Sequence, residues 1–304
     1  MKTDIIFFGT GEFGAAMLDA LFNYGHKIGL VITQPDRPIG RSQQLNESAV
    51  KILAKKHQVK VVQPENLKDF NLNNYPCDLI VVCEYGLIIP KTVLSHSKMP
   101  TINVHTSLLP KFRGASPVQS AIINGEEETG ITIMQMDEKM DHGAILKQAT
   151  ITIDKDDTYN ELLTKMQPVA ANLLVNTISE LQDGKITPVE QNHSKATFCK
   201  IFLREDGKIN WINPSAAIYN LYRGLTPWPG VWTTWNEKRL KITKLVPATI
   251  SIEPGKVQIN DSTIIVGCGN KSIQILELQL EGKNKLQAKD FIAGYKNFNG
   301  ATLK

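Results

Sequence analysis

The chain has 304 residues, more than one compact core ordinarily holds, so two domains of common size are expected. With 42% hydrophobic and 21% charged residues it is not disordered or fibrous, and no run is long and apolar enough to span a bilayer. The formal charge of +4 is unevenly spread: residues 1–199 hold 19 Lys+Arg against 22 Asp+Glu, net −3, while residues 200–304 hold 15 against 8, net +7.

Met1–Gly9 has one Lys, a short apolar run and a Gly-rich turn, which is not a signal peptide, so a cytoplasmic location is expected. Cys77, Cys83, Cys199 and Cys268 form no C-x-x-C pair, and no His is spaced as a zinc partner. Reduced thiols are expected, with neither a metal site nor a disulfide framework.

Short apolar runs alternate with helix-period segments in the first part of the chain, the pattern of a parallel sheet with crossover helices. In order, the sequence predicts a strand at Asp4–Gly9, a helix at Glu12–Tyr24, a strand at Lys27–Thr33 and a long polar loop at Gln34–Asn46. A helix at Glu47–His57 and strands at Lys60–Val62, Asp78–Cys83, Thr101–His105, Gly130–Met136 and Ala144–Ile153 follow, then a long helix at Thr158–Leu181. After Lys185 no strong helical period returns until the end, and short β-type runs take over at Val231–Trp235, Leu240–Leu245, Val257–Ile259, Thr263–Val266 and Ser272–Leu280. The expected fold is α/β, a Rossmann-like parallel or mixed sheet with helices on both faces, plus a small C-terminal OB-like β-barrel. The expected domains are 1–188 and 208–304, joined by a linker at 189–207.

Gly9-Thr10-Gly11-Glu12-Phe13-Gly14 satisfies G-x-G-x-x-G between a strand and a helix, the dinucleotide-binding fingerprint. That fold also needs an acid at the end of the second strand to hold ribose hydroxyls, and here the nearest, Asp36, lies beyond Pro35. A tight strand-to-helix turn is the plainer reading of the glycines.

Asn103 and His105 in Ile102-Asn103-Val104-His105 are two apart, so on a strand both project from one face. They stand where the strand gives way to a loop, and ligands of open parallel sheets bind just outside such strand ends. Asp141, in a loop after another strand, offers a third polar group, though alone it reads as an Asx-turn former.

Asn103-x-His105-x-Ser107-Leu108-Leu109-Pro110-x-x-Arg113-Gly114, followed by Asp141-x-Gly143, resembles the folate-dependent formyltransferases. Thr129–Asp137 and Tyr85–Pro90 extend the likeness over the α/β part. The resemblance implies Asn103, His105 and Asp141 as the catalytic trio. Folate contacts are implied at Ser107, Leu108, Leu109, Pro110, Tyr85 and Gly86, with 10-formyltetrahydrofolate as co-substrate and no metal. The loop Thr33–Arg41 is similar to one that methionyl-tRNA formyltransferases wedge against the acceptor stem, and Ala196–Ile201, Gly207–Trp211, Pro227–Pro229, Leu280–Lys283 and Ala288–Phe291 resemble the same group. Initiator methionyl-tRNA is thus the implied partner, with Arg37, Arg41 and Lys200 as contacts and the basic C-terminal part as tRNA-binding domain. No membrane and no obligate protein partner are implied, and a monomer is expected. Three positions depart from the family pattern: Gly11 where Pro is usual, Glu84 where a small residue is common, and His142-Gly143-Ala144 in place of Thr-Gly-Asp.

The implied chemistry is direct attack of the methionyl α-amine on the formyl carbon through a tetrahedral intermediate. Asn103 and His105 are expected to donate N–H to the developing oxyanion, and Asp141 to help move the amine proton to the leaving nitrogen. Two rivals stand beside this reading: an amino-sugar nucleotide N-formyltransferase and an NAD-dependent oxidoreductase resting on Gly9–Gly14.

Overall fold

The apolar run Ile5–Phe8 lies at the centre of a strand, β1 (Asp4–Gly9), because branched and aromatic side chains suit a pleat buried on both faces. A computed structural model describes residues 2–39 and 44–304. In chain order β1 is followed by α1 (Glu12–Asn23), β2 (Lys27–Ile32), β3 (Arg37–Ile39), β4 (Gln44–Asn46), α2 (Ala49–Lys56), β5 (Val61–Val62) and β6 (Leu79–Cys83). Next come α3 (Lys91–Leu94), β7 (Ile102–His105), β8 (Arg113–Gly114), α4 (Pro117–Ile123), β9 (Glu128–Gln135), β10 (Ile145–Thr152), α5 (Tyr159–Gln182) and β11 (Phe198–Cys199). The rest holds α6 (Ser215–Leu225), β12 (Val231–Trp235), β13 (Lys238–Ala248), β14 (Val257–Asn260), β15 (Thr263–Gly267), β16 (Ser272–Leu280), β17 (Leu286–Gln287) and α7 (Ala288–Gly294). These elements form two units: Met1–Pro117, Glu128–Thr152 and Leu163–Cys199 make the first, and Val118–Glu127, Ile153–Leu162 and Lys200–Lys304 the second. Among the described residues no helix is long and apolar enough to cross a membrane.

The first unit is built on a seven-stranded mixed sheet of order β10-β9-β7-β6-β1-β2-β5. Strands β7, β6, β1, β2 and β5 are parallel, whereas β9 runs antiparallel to β7 and β10 antiparallel to β9. Ile6, Phe8, Leu30, Ile32, Ile80 and Val82 form one core cluster of this sheet, each side chain contributing about 1.5–3 kcal/mol by burial. The parallel strands end at one edge, with Gly9, Cys83 and His105 as the last residues of β1, β6 and β7. Chain order runs outward from β1 in both directions, so the topological switch point lies between β1 and β6.

The Gln34–Asn46 segment, expected as a loop, contains a small hairpin in which Arg37 pairs with Asn46 and Pro38 with Leu45. Its base is pinned: the Lys51 ammonium lies 2.6 Å from Asp36 Oδ2, and Gln63 Nε2 donates to Asp36 Oδ1 at 2.8 Å and to Gln34 O at 2.9 Å. The Lys51 and then the Gln63 hydrogen bonds hold the Asp36 carboxyl below its usual range. Gln34 Nε2 in turn donates to Tyr85 O at 2.6 Å, tying the hairpin base to the loop after β6.

In the second unit five strands form an antiparallel ladder, β12-β13-β16-β15-β14, with β17 added to β16. Among the described residues no strand pairing joins β12 to β14, so the sheet itself is not the closed barrel expected. The C-terminal segment bonds to both edges instead, Lys304 exchanging hydrogen bonds with Thr234 of β12, and Ala301 O accepting from Val257 N of β14. The helix α6 contradicts the expectation of no helical period in this region. Its apolar residues Ile218, Leu221, Tyr222 and Leu225 do follow helical spacing, but over barely two turns, between Pro214 and Pro227. In the core Phe298 packs edge to face against Trp235 and Phe291, which are tilted to each other, with ring centroids 4.9–6.0 Å apart.

Candidate active site

Asn103 and His105 project together from the C-terminal end of β7. Asn103 is half-buried, and among the described residues its side-chain amide has no hydrogen-bond partner. His105 is buried at 6% exposure, with Nε2 3.0 Å from Phe112 O and Nδ1 3.8 Å from Asp141 Oδ1. A carbonyl oxygen only accepts, so Nε2 carries the hydrogen and, in the neutral ring, Nδ1 is the bare nitrogen. With Nε2 engaged by Phe112 O, the expected donor role narrows to Nδ1, the nitrogen on the Asp141 side.

Three consecutive residues fix this arrangement. Phe112 O holds the imidazole, and Gly114 N donates to Asp141 Oδ2 at 2.7 Å. Between them the buried Arg113 guanidinium donates through Nε and Nη2 to Gln191 Oε1 at 3.2 and 2.6 Å. Gln191 Nε2 then donates to the carbonyls of Asp141 and Gly143, at 2.9 and 2.8 Å, supporting the backbone that carries the carboxylate. Segment 112–114 is itself held by parallel pairing of β8 with β11 and by Thr197, whose O accepts from Arg113 N and whose Oγ1 accepts from Phe112 N, both at 2.8 Å. A second pair adjoins it: His142 Nδ1 lies 2.6 Å from Asp137 Oδ2, and its ring stacks on His193 at 4.0 Å. Arg113 Nη2 donates to His193 Nδ1 at 2.9 Å. Desolvation, His142 and the Arg113 charge hold the His193 imidazole below its ordinary value.

The expected folate residues divide. The Ser107 hydroxyl is fully buried and donates to Lys111 O at 2.6 Å, Leu109 is buried, and the Tyr85 ring packs edge-on against Phe8 in the core. Thr132 Oγ1 fixes the turn, donating to Ser107 O at 2.6 Å and accepting from Leu109 N at 3.1 Å, while Gln148 Nε2 donates to Leu109 O at 3.0 Å. Leu108, Pro110 and Gly86 keep accessible surface, and the Ile88 side chain is 89% exposed. Of the expected tRNA contacts, Arg37 is exposed on β3, and Arg41 lies outside the described residues. Lys200, in the second unit, is ion-paired to Asp206. Among the described residues no three His, Cys, Asp or Glu side chains converge as a metal site. Sequence reasoning did not find Gln191, Thr197, Thr132 or Gln148, because their roles are long-range contacts that leave no local spacing signal.

Residues 1–178 match the family model described as formyl transferase, and residues 203–296 match that described as formyl transferase, C-terminal domain. A methionyl-tRNA formyltransferase of Caldanaerobacter subterraneus is 41% identical over 307 residues, covering 99% of each chain. Among solved structures, HypX from Aquifex aeolicus in complex with tetrahydrofolic acid superposes with a TM-score of 0.68 at 15% identity, covering 98% of this chain and 48% of that one. An N-formyltransferase from Helicobacter canadensis, in complex with folinic acid and dTDP-3-aminofucose, gives 0.68 at 20% identity, covering 90% of this chain and 99% of that one. At such identities these two support the fold alone, whereas the two matched family models and the end-to-end relative assign the chain to the formyl transferase family.

Proposed function

We propose that the chain transfers the formyl group of 10-formyltetrahydrofolate to the α-amino group of methionine esterified to initiator tRNA. The observation that carries this is the unpartnered Asn103 amide beside a His105 whose Nδ1 faces Asp141, at one strand end. The methionyl-tRNA formyltransferase aligned with both ends of this chain supports the acceptor. The net charge of +7 over residues 200–304 suits a polyanionic partner. The working division is a catalytic domain at 1–188, a linker at 189–207 and a tRNA-binding domain at 208–304, acting in the cytoplasm as a monomer. Arg37, Arg41 and Lys200 are the proposed tRNA contacts.

The folate supplies the one-carbon group when bound. Gly86, Leu108 and Pro110 keep the accessible apolar and backbone surface that a flat heteroaromatic ring needs, whereas Ser107, Leu109 and Tyr85 are buried and act by holding their own turns in place. An α-amine titrates near ~7.7, so a useful fraction is neutral at cytoplasmic pH and ready to attack. Negative charge then develops on the formyl oxygen, where the Asn103 amide is free to donate. As the amine gains positive charge, His105 Nδ1 takes its proton, Asp141 stabilises the resulting imidazolium, and the proton passes on to the leaving nitrogen. Phe112 O keeps the ring from turning while this happens. Incubation with formyl-tetrahydrofolate and methionine-charged initiator tRNA should yield formyl-methionine on hydrolysis. Formylation of an amino-sugar nucleotide with the charged tRNA untouched would overturn the reading.

A further inference from the structure

The Gly9–Gly14 motif plays no part in the proposed reaction, yet it lies at the switch point of the sheet, with Gly9 in register with Cys83. Open α/β sheets bind ligands in this crevice, and a helix N-terminus there accepts anions such as phosphate. Here the crevice already holds an anion that belongs to the protein. Glu84, the first residue after β6, adopts φ +52 and lays its carboxylate over the first turn of α1. Oε2 accepts from Gly14 N at 3.1 Å, with the Phe13 amide next to it in the same turn. Gly11, the N-cap of α1, has no side chain of its own to satisfy these donors. A Cβ at position 11 would lie 2.4 Å from Glu84 Oε2, so glycine at 11 is what lets glutamate at 84 reach the helix. Two departures from the family pattern, Gly11 and Glu84, are thus a single structural feature. Glu84 as a residue is exposed to solvent, while its Oε2 is turned inward onto the Gly14 amide. Burial holds its carboxyl above the ordinary value, and the backbone amides of the helix start work against that shift.

We propose that Glu84 is a specificity-determining residue: its carboxylate fills the anion-binding end of α1 and refuses any ligand or acceptor that must seat a phosphate at the switch point. Nicotinamide dinucleotides and small phosphorylated amines are of that class. Asp36, the nearest acid to the second strand, is engaged by Lys51 and Gln63, so a ribose would find no partner there either.

The test is a titration of the full chain with inorganic phosphate at constant ionic strength, following the backbone amide resonances of Phe13 and Gly14. Wild type is compared with Glu84→Gly, which suits the φ of +52, with Glu84→Ala in case one variant folds poorly, and with Glu84→Gln, which keeps the bulk without the charge. In the Gly and Ala variants phosphate should shift both amides saturably, with affinity at least about tenfold above wild type, and should raise the melting temperature. The Gln variant should stay as unresponsive as wild type. An equal response in wild type and the opened variants, whether present or absent, would overturn the proposal and leave Glu84 as a helix cap only. A response in the Gln variant equal to that of the opened variants would overturn the claim that the side chain fills the site. None of these readings needs formyl transfer, so failure here and failure of the proposed function are told apart.

Discussion

Replacing Gly114 by alanine tests the clamp around the trio at its tightest point. Gly114 has φ +116, where a side chain costs about 1–3 kcal/mol, and its Cβ would meet Cys199 O at 2.4 Å. Either β8 parts from β11 or the Gly114 peptide turns, and turning it removes the 2.7 Å hydrogen bond to Asp141. A hydrogen bond to a charged group contributes about 1.5–3 kcal/mol, so Gly114→Ala should cost about 3 kcal/mol or more in stability. The larger effect falls on turnover, because a displacement of about 1 Å in a catalytic group can cost ~10²-fold. Single-turnover formyl transfer at saturating substrate, beside a melting curve and a folate titration, separates these terms. Turnover should drop about a hundredfold with folate binding preserved. A variant melting below wild type but transferring within about threefold of it would refute the claim that Gly114 N sets the carboxylate.

Gln191→Ala leaves the Arg113 guanidinium buried with His193 as its remaining hydrogen-bond partner among the described residues and should lower stability by about 2 kcal/mol, read by denaturant unfolding. Gln191→Glu keeps a partner for Arg113 but sets an anion against the carbonyls of Asp141 and Gly143, so it should retain more stability than the Ala variant yet lose turnover; unchanged turnover would contradict the support role. The Asp36 carboxyl is held below its unfolded value, so its contribution to stability is full above the ordinary carboxylate range and is lost as pH falls through the depressed value. Melting temperatures of wild type and Asp36→Asn should therefore differ at pH 7 and converge in strong acid; a gap that persists there would assign the loss to packing. Apparent tRNA affinity should fall steeply with salt, with a log–log slope of about −3 or steeper, and a flat response would show that the basic C-terminal region does not meet phosphates.

Much of the site was legible because strand alternation puts Asn103 and His105 on one face without any structure in hand. Its orientation was not, since the tautomer of His105 depends on a backbone carbonyl seven residues on, and the pose of Asp141 depends on Gly114 N and a glutamine 50 residues away. Gly11 and Glu84 were each visible as departures from a pattern, but their complementarity is a contact across 73 residues that no local reading supplies. In the second unit, all five expected runs lie within or match the observed strands, while the C-terminal stitching was hidden because residues 300–304 bond to the sheet edges without an apolar period of their own. The hairpin at Arg37–Asn46 was hidden by its polar, proline-bearing composition, which is also that of a loop.

The most direct trial of the account is the rate of formyl transfer to methionine-charged initiator tRNA by Asn103→Ala and His105→Ala, measured in a single turnover with both substrates shown to be bound. Each variant should transfer slower by at least about 10²-fold while holding folate and tRNA as wild type does. Transfer within about tenfold of wild type by either one would contradict the assignment of the chemistry to the end of β7.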